Sequence, residues 1–541
     1  MNTKYQNQLQ EARRLHKSGN TKKAITLLQR IHRVAPLDMV VAAEYATVLR
    51  AAEEFDRAAN VLVKILKQRP KDSRVYSMLG ECYLRMGHLE KMQIVQDAAL
   101  KKCDRDSRII LLQNSLATAL GNRKEALKYA LELVQLNPAS SDAFNNVGTA
   151  LCDMAMYEQG AHAFETALKL KPNSLEAIQN ISFCYAQSHN HEKALEFSEQ
   201  ALALVRKEKK YKESVVKFPM SFAYFFLGDW QKGWEYYDEG FAPELRGSSR
   251  RSPARSHNCP RWEGHSLEGK RLLVWREQGL GDELRFGSCL PDLMELNGHI
   301  IIECDARLVP SLRDSFPMAT VRPAAWNVQN GNPVNTDYDF HIPIASLPRY
   351  LRPNKESFSK KSAYIKPQEK LKADIANHFN HVMPRGLKIG ISWRSGKMDP
   401  VRNEHYNNLV DWADILQLPN CHFVNLQYGD PESELQAAEN ALGIKIHRWP
   451  DLNLKDDLEG TFALMSCLDL VVSVGSAVHC MAPLVDTETW VLLPHKHWIE
   501  MGLDEFPWAP KTTVLHGDGV TGIDATMPVV KDRIQQRLAQ L

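Results

Sequence analysis

Three apolar runs in the second half of this chain each end in a glycine-containing polar loop. Leu272–Trp275 runs into Glu277-Gln278-Gly279-Leu280-Gly281-Asp282, Leu387–Trp393 into Arg394-Ser-Gly-Lys397, and Leu468–Ser473 into Val474-Gly475-Ser476. After the first loop, Leu284, Cys289, Leu290, Leu293 and Leu296 recur at helical spacing. A buried strand, a tight loop and a helix are expected, the opening unit of a Rossmann-like βαβ fold. Such loops lie at the carboxyl ends of parallel strands, where open α/β sheets bind ligands, so Glu277, Gln278 and Asp282 are candidates to meet one. Asp282 has a second reading as a helix cap, because Asp is favoured there. Arg394 and Lys397, with Arg402 in reserve, carry charge suited to neutralising a diphosphate, although solvated loop residues would look the same. Gly475 and Ser476 open a further expected helix, and backbone amides with a hydroxyl at a helix start form a ready phosphate site.

More short strands are expected to position these loops: His299–Cys304, Tyr338–Ile344, His422–Leu426, Lys445–His447 and Thr489–Leu493, with a helix over Leu308–Phe316. The alternation implies parallel sheets. Residues 270–380 and 381–541 read as two Rossmann-like lobes enclosing a cleft. The stretch 242–269, rich in Arg, Ser and Pro and without apolar periodicity, reads as an exposed or extended linker. In Asp337-Tyr338-Asp339 and His495-Lys496-His497 there are short matches to metal-binding patterns, which chance and an ordinary loop account for equally well.

Residues 1–241 have a different organisation. Ala12, Ala46, Gly80, Asn114, Gly148 and Ser182 stand 34 residues apart, and Leu15, Leu49, Tyr83, Ala117, Leu151 and Tyr185 continue in register. Ala24, Ala58, Met92, Ala126, Gly160 and Ala194 extend the pattern, with Pro36, Pro70, Pro138 and Pro172 later in the unit. Small residues let paired helices approach, large ones fill between them, and the proline ends the second helix. The six units resemble the tetratricopeptide repeat (TPR), an all-α superhelix. Ser221–Phe241 reads as a seventh unit out of register, an aromatic cap packed against the next domain. Asn146 and Asn180 share one repeat position. The related repeats of the protein O-linked N-acetylglucosamine transferase carry an asparagine ladder there that holds an extended peptide, work suited to a side chain that both donates and accepts. Gln10, Glu44, Met78 and Leu112 occupy the position elsewhere, so a full ladder is absent.

A formal charge of +2 over 541 residues gives no support for nucleic-acid or polybasic membrane binding. No apolar run approaches the ~18 residues of a membrane span, and the polar first residues lack a secretory apolar region. Ten cysteines without zinc-type spacing read as reduced thiols, which suits a cytoplasmic protein.

Residues 260–515 resemble the glycosyltransferase half of bacterial TPR proteins related to the heptosyltransferases, an inverting, metal-independent class of the two-lobed GT-B fold. The matching pieces are Pro260-Arg-Trp-Glu-Gly264, Glu277-Gln-Gly-Leu-Gly-Asp282, His341-Ile-Pro, Ser346-Leu-Pro and Ile391-Ser-Trp-Arg394. They continue with Phe423–Asp430, Leu454-Lys-Asp-Asp457, Asp469–Ala482 and Pro507-Trp-Ala-Pro510. The resemblance implies transfer of a sugar from a nucleotide-sugar donor, with no resident cofactor or metal. It assigns Asp282 as the base, with Gln278, Gly279, Gly281 and His341 in the cleft. Arg394, Lys397, Asp457, Gly475 and Ser476 fall on the donor side. Asp457 would bind a ribose hydroxyl or simply start a helix. Some relatives of this layout glycosylate flagellin, which implies a protein acceptor such as flagellin, bound by the repeats. Gly475 departs from the family's Asp-Thr or Asp-Ser, which leaves open a scaffold without catalysis; a transferase acting on a glycan or lipid-linked acceptor is a third reading.

Overall fold

The computed structural model describes residues 5–540, apart from 37, 210, 246–249, 328–330, 359–362, 384, 396–405, 450–451 and 519–521. The chain divides into two compact units, Met1–Glu208 and Lys209–Leu541.

The first unit is six consecutive helix pairs, from Gln6–Lys17 with Thr21–Val34 to Leu175–Gln187 with His191–Glu208. The small positions of the 34-residue period are where the pairs close up. Ala12, Ala24, Ala46 and Ala58 are buried, and a Cβ on Gly148 would lie 2.7 Å from the Phe164 ring. Where the register carries a polar residue instead, it is satisfied across the pair: Asn114 Nδ2 donates to the Ala126 carbonyl (2.8 Å) and Ser182 Oγ to that of Ala194 (2.8 Å). The first helix of each later pair starts on a capping side chain at the same 34-residue interval, Asp38, Asp72, Asp106, Ser140 and Ser174, each accepting from a backbone N–H of the first turn. The second helices stop at Val34, Gln68, Leu136 and Leu170, two residues before each proline. Arg206 replaces the proline in the sixth pair, and that helix runs on to Glu208.

The second unit holds two parallel sheets. In the first, β3 (Thr320–Pro323), β2 (His299–Cys304), β1 (Arg271–Trp275) and β4 (Phe340–Pro343) lie in that order. In the second the order is β10 (Thr512–His516), β9 (Thr489–Leu493), β8 (Leu470–Val474), β5 (Leu387–Ser392), β6 (Cys421–Asn425) and β7 (Ile446–His447). Every pairing is parallel. β3 and β10 had no counterpart among the expected strands. β3 is four residues ending in proline, and both are edge strands whose outer rows need no apolar run.

One apolar cluster runs through both lobes. It joins Leu272, Val274, Ile300 and Ile302 of the first sheet to Val424 and Val471 of the second and to Leu426 just past β6. Its centre is aromatic and comes from the helix pair Ser214–Phe226 and Trp230–Tyr237. Trp234 lies 6.3 Å from Phe286 and 6.2 Å from Trp508 (ring centroids), Phe225 stacks on Trp498, and Trp230 Nε1 donates to the Met501 carbonyl (3.0 Å). These contacts put the pair in the second unit, so the boundary falls at 208/209 and not after Phe241.

The described residues of 242–269 form an extended stretch with many exposed positions, as expected, but it is anchored to the fold at intervals and is not free in solvent. Arg251, Trp262 and Leu267 are buried, and the stretch covers the face of the first sheet opposite its helices, where Trp275, Tyr338 and Cys259 pack together. A βαβ sheet with helices on one face needs a second cover, and here an irregular strap supplies it.

Gly502 joins the helix pair to the second lobe. Its φ is +74°, and an added Cβ would lie 2.2 Å from the Phe226 carbonyl oxygen. Gly502→Ala is expected to cost about 3 kcal/mol and to lower the melting temperature of the second unit while leaving the repeat array unchanged, as monitored by hydrogen exchange.

Candidate functional site

The carboxyl end of β1 passes into Arg276–Gly279 and then into the short helix Leu280–Phe286. Two groups fix the loop from below. Glu277 is buried and takes both arms of the Arg251 guanidinium, Nε at 2.8 Å and the second nitrogen in a short contact, and it also accepts from the Ala345 N–H (3.3 Å). Gln278 adopts a left-handed conformation (φ +57°), its N–H donating to the Ser252 carbonyl and its amide to the Tyr237 hydroxyl (2.7 Å). Gly279 starts the helix, and Asp282 accepts from the Gly279 N–H (3.3 Å) while pairing with Arg285 (3.1 Å). The capping role weighed for Asp282 is therefore present. It does not exhaust the carboxylate, whose side chain keeps 33% of its surface open.

The network beneath is unusually charged for an interior. Arg251 also contacts Asp238 (3.0 Å), which binds Arg261 (2.6 Å), Arg349 (2.9 Å) and the Ser346 hydroxyl (2.6 Å). Burial opposes the charge on Asp238, but Arg261 and Arg251 outweigh it and hold its pKa below the usual carboxylate value. Burial likewise opposes the Arg251 charge, and Glu277 overcomes it.

Across the cleft, β8 passes into Gly475, Ser476 and the helix Ala477–Met481. Ser476 accepts from the Val478 N–H (3.3 Å), and its own N–H donates to His479 Nδ1 (3.0 Å), which fixes the His479 proton on Nε2. The two strand-end helices touch. A Cβ on Gly281 would lie 3.6 Å from Cys480 Sγ and 3.8 Å from Ala477 Cα, and Arg285 reaches Cys480 Sγ (3.7 Å). At the rim, Arg307 beyond β2 donates to the Lys455 carbonyl beyond β7 (2.8 Å). The carboxyl ends of both sheets thus face one another.

Arg285 was not among the residues expected in the site; its only signal in the sequence is a cation one turn after Asp282. Its side chain is 8% exposed, it bonds only Asp282 and Cys480 among the described residues, and its buried Nε has no hydrogen-bond partner there. His479 and His497 flank it; burial and then the Arg285 charge push the enclosed His479 down to about 3 and lower the pKa of His497 as well, so both rings are neutral. His497 keeps exposed surface. An arginine with unused donors beside neutral imidazoles is suited to an anion.

Several sequence candidates are engaged by other groups of the fold. His341 is a correction: its ring stacks on His257 beneath the strap (3.8 Å), and Trp275 Nε1 donates to its Nδ1 (3.2 Å). Burial and then His257 lower its pKa to about 3. Arg394 pairs with Glu434 (2.6 Å), and Asp457 caps the helix Leu458–Met465 through the Gly460 N–H (2.8 Å). Lys397 and Arg402 lie outside the described residues. Asp337 and Asp339 pair separately with Arg322 and Arg271. Among the described residues no group of His, Cys, Asp or Glu is arranged to hold a metal ion, and no helix is long and apolar enough to cross a membrane. In the array, Asn146 and Asn180 are both half-buried.

Residues 15–82 and 49–101 match the tetratricopeptide repeat family. The protein FlbA of Caulobacter vibrioides is 31% identical over 413 residues, covering 73% of this chain and 68% of that protein. The chain belongs to the FlbA family. That coverage exceeds the length of the first unit, so the FlbA likeness extends into the parallel-sheet unit. The tetratricopeptide repeat-containing protein trd-1 of Caenorhabditis elegans is 21% identical over 149 residues, 28% of this chain and 18% of that protein. Among solved structures, YrrB, described as a TPR protein with an unusual peptide-binding site, is 21% identical and covers 33% of this chain and 91% of that one, with a TM-score of 0.26.

The supports of the loop can be tested one at a time. Arg251→Met leaves Glu277 and Asp238 short of a buried partner and is expected to destabilise the second unit by roughly 3–5 kcal/mol, read by urea unfolding. Glu283 lies beside a cavity of about 10 Å³, and burial raises its pKa to about 7 against the pull of Arg276. Its folded value lies above its unfolded one, so stability falls as pH rises from about 4.5 to about 7, by roughly 3 kcal/mol in all. Glu283→Gln is expected to flatten that slope in melting curves across the window.

Proposed function

We propose that this FlbA-family protein is a glycosyltransferase that moves a sugar from a nucleotide-sugar donor to a Ser or Thr hydroxyl of a polypeptide held by the repeat array, flagellin being the natural candidate acceptor. The observation that carries the reading is the approach of two strand-end helices, one bearing the open carboxylate of Asp282 and the other beginning at Ser476, with Arg285 buried between them. The chemistry needs a base at one side of the reacting carbon and a positive environment at the other. Asp282 takes the proton of the acceptor hydroxyl, whose oxygen attacks the anomeric carbon as the bond to phosphate breaks. The nucleoside diphosphate leaves with inversion through an oxocarbenium-like state. Arg285 and the backbone amides after Ser476 receive the developing phosphate charge. Arg285 takes over much of the work expected of Arg394, whose guanidinium is occupied by Glu434. Asn146 and Asn180 grip the acceptor backbone.

A scaffold that has lost catalysis is the second reading. It is favoured by Gly475 at the position where the related transferases carry a carboxylate, and by the ion pair that engages Arg394.

Asp282→Asn keeps an acceptor for the Gly279 N–H while removing the base. Its transfer rate is expected to fall by about 10²–10⁴-fold with an unchanged melting temperature. Equal turnover in the variant would remove Asp282 from the mechanism. Calorimetry against a panel of nucleoside diphosphates and nucleotide sugars separates the two readings: wild-type binding that Arg285→Gln abolishes supports the enzyme, and no binding of any member supports the scaffold.

A further inference from the structure

All ten cysteines are free thiols, and two of them are out of the ordinary. Cys152 lies at the end of the helix Ser141–Asp153 of the fifth repeat, and Cys184 in the helix Leu175–Gln187 of the sixth. Their sulfurs are 2.9 Å apart. Unbonded heavy atoms settle at roughly 3.5–4 Å, and a disulfide closes at about 2.05 Å. The two sulfurs are therefore in direct contact, within about 1 Å of the bonded separation.

The surrounding sequence provides the room. A Cβ on Gly160 would lie 2.8 Å from Cys152 Sγ and 3.4 Å from Cys184 Sγ. The other repeats carry Ala24, Ala58, Met92, Ala126 and Ala194 in that register, so the array lacks a side chain at the one place where two thiols meet. The same pair of repeat positions holds His16 with Val48, Arg50 with Cys82, Leu84 with Leu116, and Thr118 with Ala150. Only between the fifth and sixth repeats does it hold two sulfurs.

We propose that Cys152 and Cys184 form a reversible disulfide that ties the fifth repeat to the sixth. The oxidant is a low-molecular-weight disulfide such as glutathione disulfide. Cys152 is the half-buried member of the pair and Cys184 the buried one, which makes Cys152 the attacking thiol. Accepting a hydrogen bond from Cys184 also holds its pKa below the usual thiol value. The Cys152 thiolate attacks one sulfur of the oxidant, forming a mixed disulfide and expelling a glutathione thiolate. Cys184 then loses its proton and attacks Cys152 Sγ, and a second glutathione thiolate leaves. Two protein thiols and one glutathione disulfide become one protein disulfide and two glutathione thiols. The helices joined are those that carry Asn146 and Asn180, so oxidation fixes the spacing of the two asparagines.

The test is peptide mapping of the full chain without reductant, after reduction, desalting and exposure to glutathione disulfide, with free thiols alkylated first. The expected product is a cross-linked peptide pair containing Cys152 and Cys184, lighter by two hydrogens and carrying no glutathione. Amide hydrogens in 141–187 are expected to exchange more slowly in the oxidised chain than in the reduced one. Cys184→Ala is expected to retain one glutathione on Cys152, which identifies Cys184 as the resolving thiol. Quantitative alkylation of both cysteines after oxidation would overturn the proposal, as would glutathione remaining on Cys152 in the wild type, or a cross-link from either to another cysteine. The wild-type map decides the matter even if the variant folds poorly.

Discussion

Glu277 and Asp238 are carboxylates with almost no access to water, and both depend on a guanidinium that is itself entirely enclosed, that of Arg251. Removing three charges from water is costly, and the arrangement holds only because each remaining donor or acceptor is met: Ser346, Arg261, Arg349 and the Ala345 N–H complete the set. Gly240 lacks the Cβ that would collide with the Arg251 stem at 2.7 Å, and the rings of Tyr237 and Phe241 lie over the guanidinium. The network joins four parts of the second unit: the end of the helix pair, the strap, the β1 loop and the turn after β4. The conformation of Glu277–Gly279, and with it the position of Asp282, is set by that junction.

The same junction bears on dynamics. In two-lobed α/β folds the lobes are expected to move when few contacts cross between them. Here the aromatic helix pair is packed into both lobes, with Trp234 against Phe286 on one side and Trp230 on Met501 on the other. The cleft is braced by a third element, and its geometry is largely set before any ligand arrives. A preformed site loses less ordering entropy on binding.

The repeat array was legible in detail because its information is local and periodic: a 34-residue step in residue size, with a proline late in most units, specifies helix pairs and the end of each second helix. Most strands of the second unit were legible too, since strands buried on both faces are continuous apolar runs, as in Leu272–Trp275 and Thr489–Leu493. Edge strands β3 and β10 lacked that signal. The strap reads as a linker in sequence because its ordering residues are arginines, whose burial depends on carboxylates brought from elsewhere. Arg255 is the plain case, enclosed against Glu303 and between the rings of Trp275 and Trp326. His341 misleads for a related reason: its partner His257 comes from the strap, and nothing in the spacing of the two announces a stacked pair.

By itself, then, the sequence determined the architecture class of each half and the loops in which polar groups come after strands, because period and run length are properties of neighbours along the chain. Tertiary structure decided which of those polar groups are spent on holding the fold. Glu277, Arg394 and Asp457 are bound to partners in the interior or at helix starts, while the Asp282 carboxylate stays partly open and Arg285 keeps an unused donor. That division depends on desolvation and on the arrival of opposite charge from distant residues, and neither is written in the local pattern.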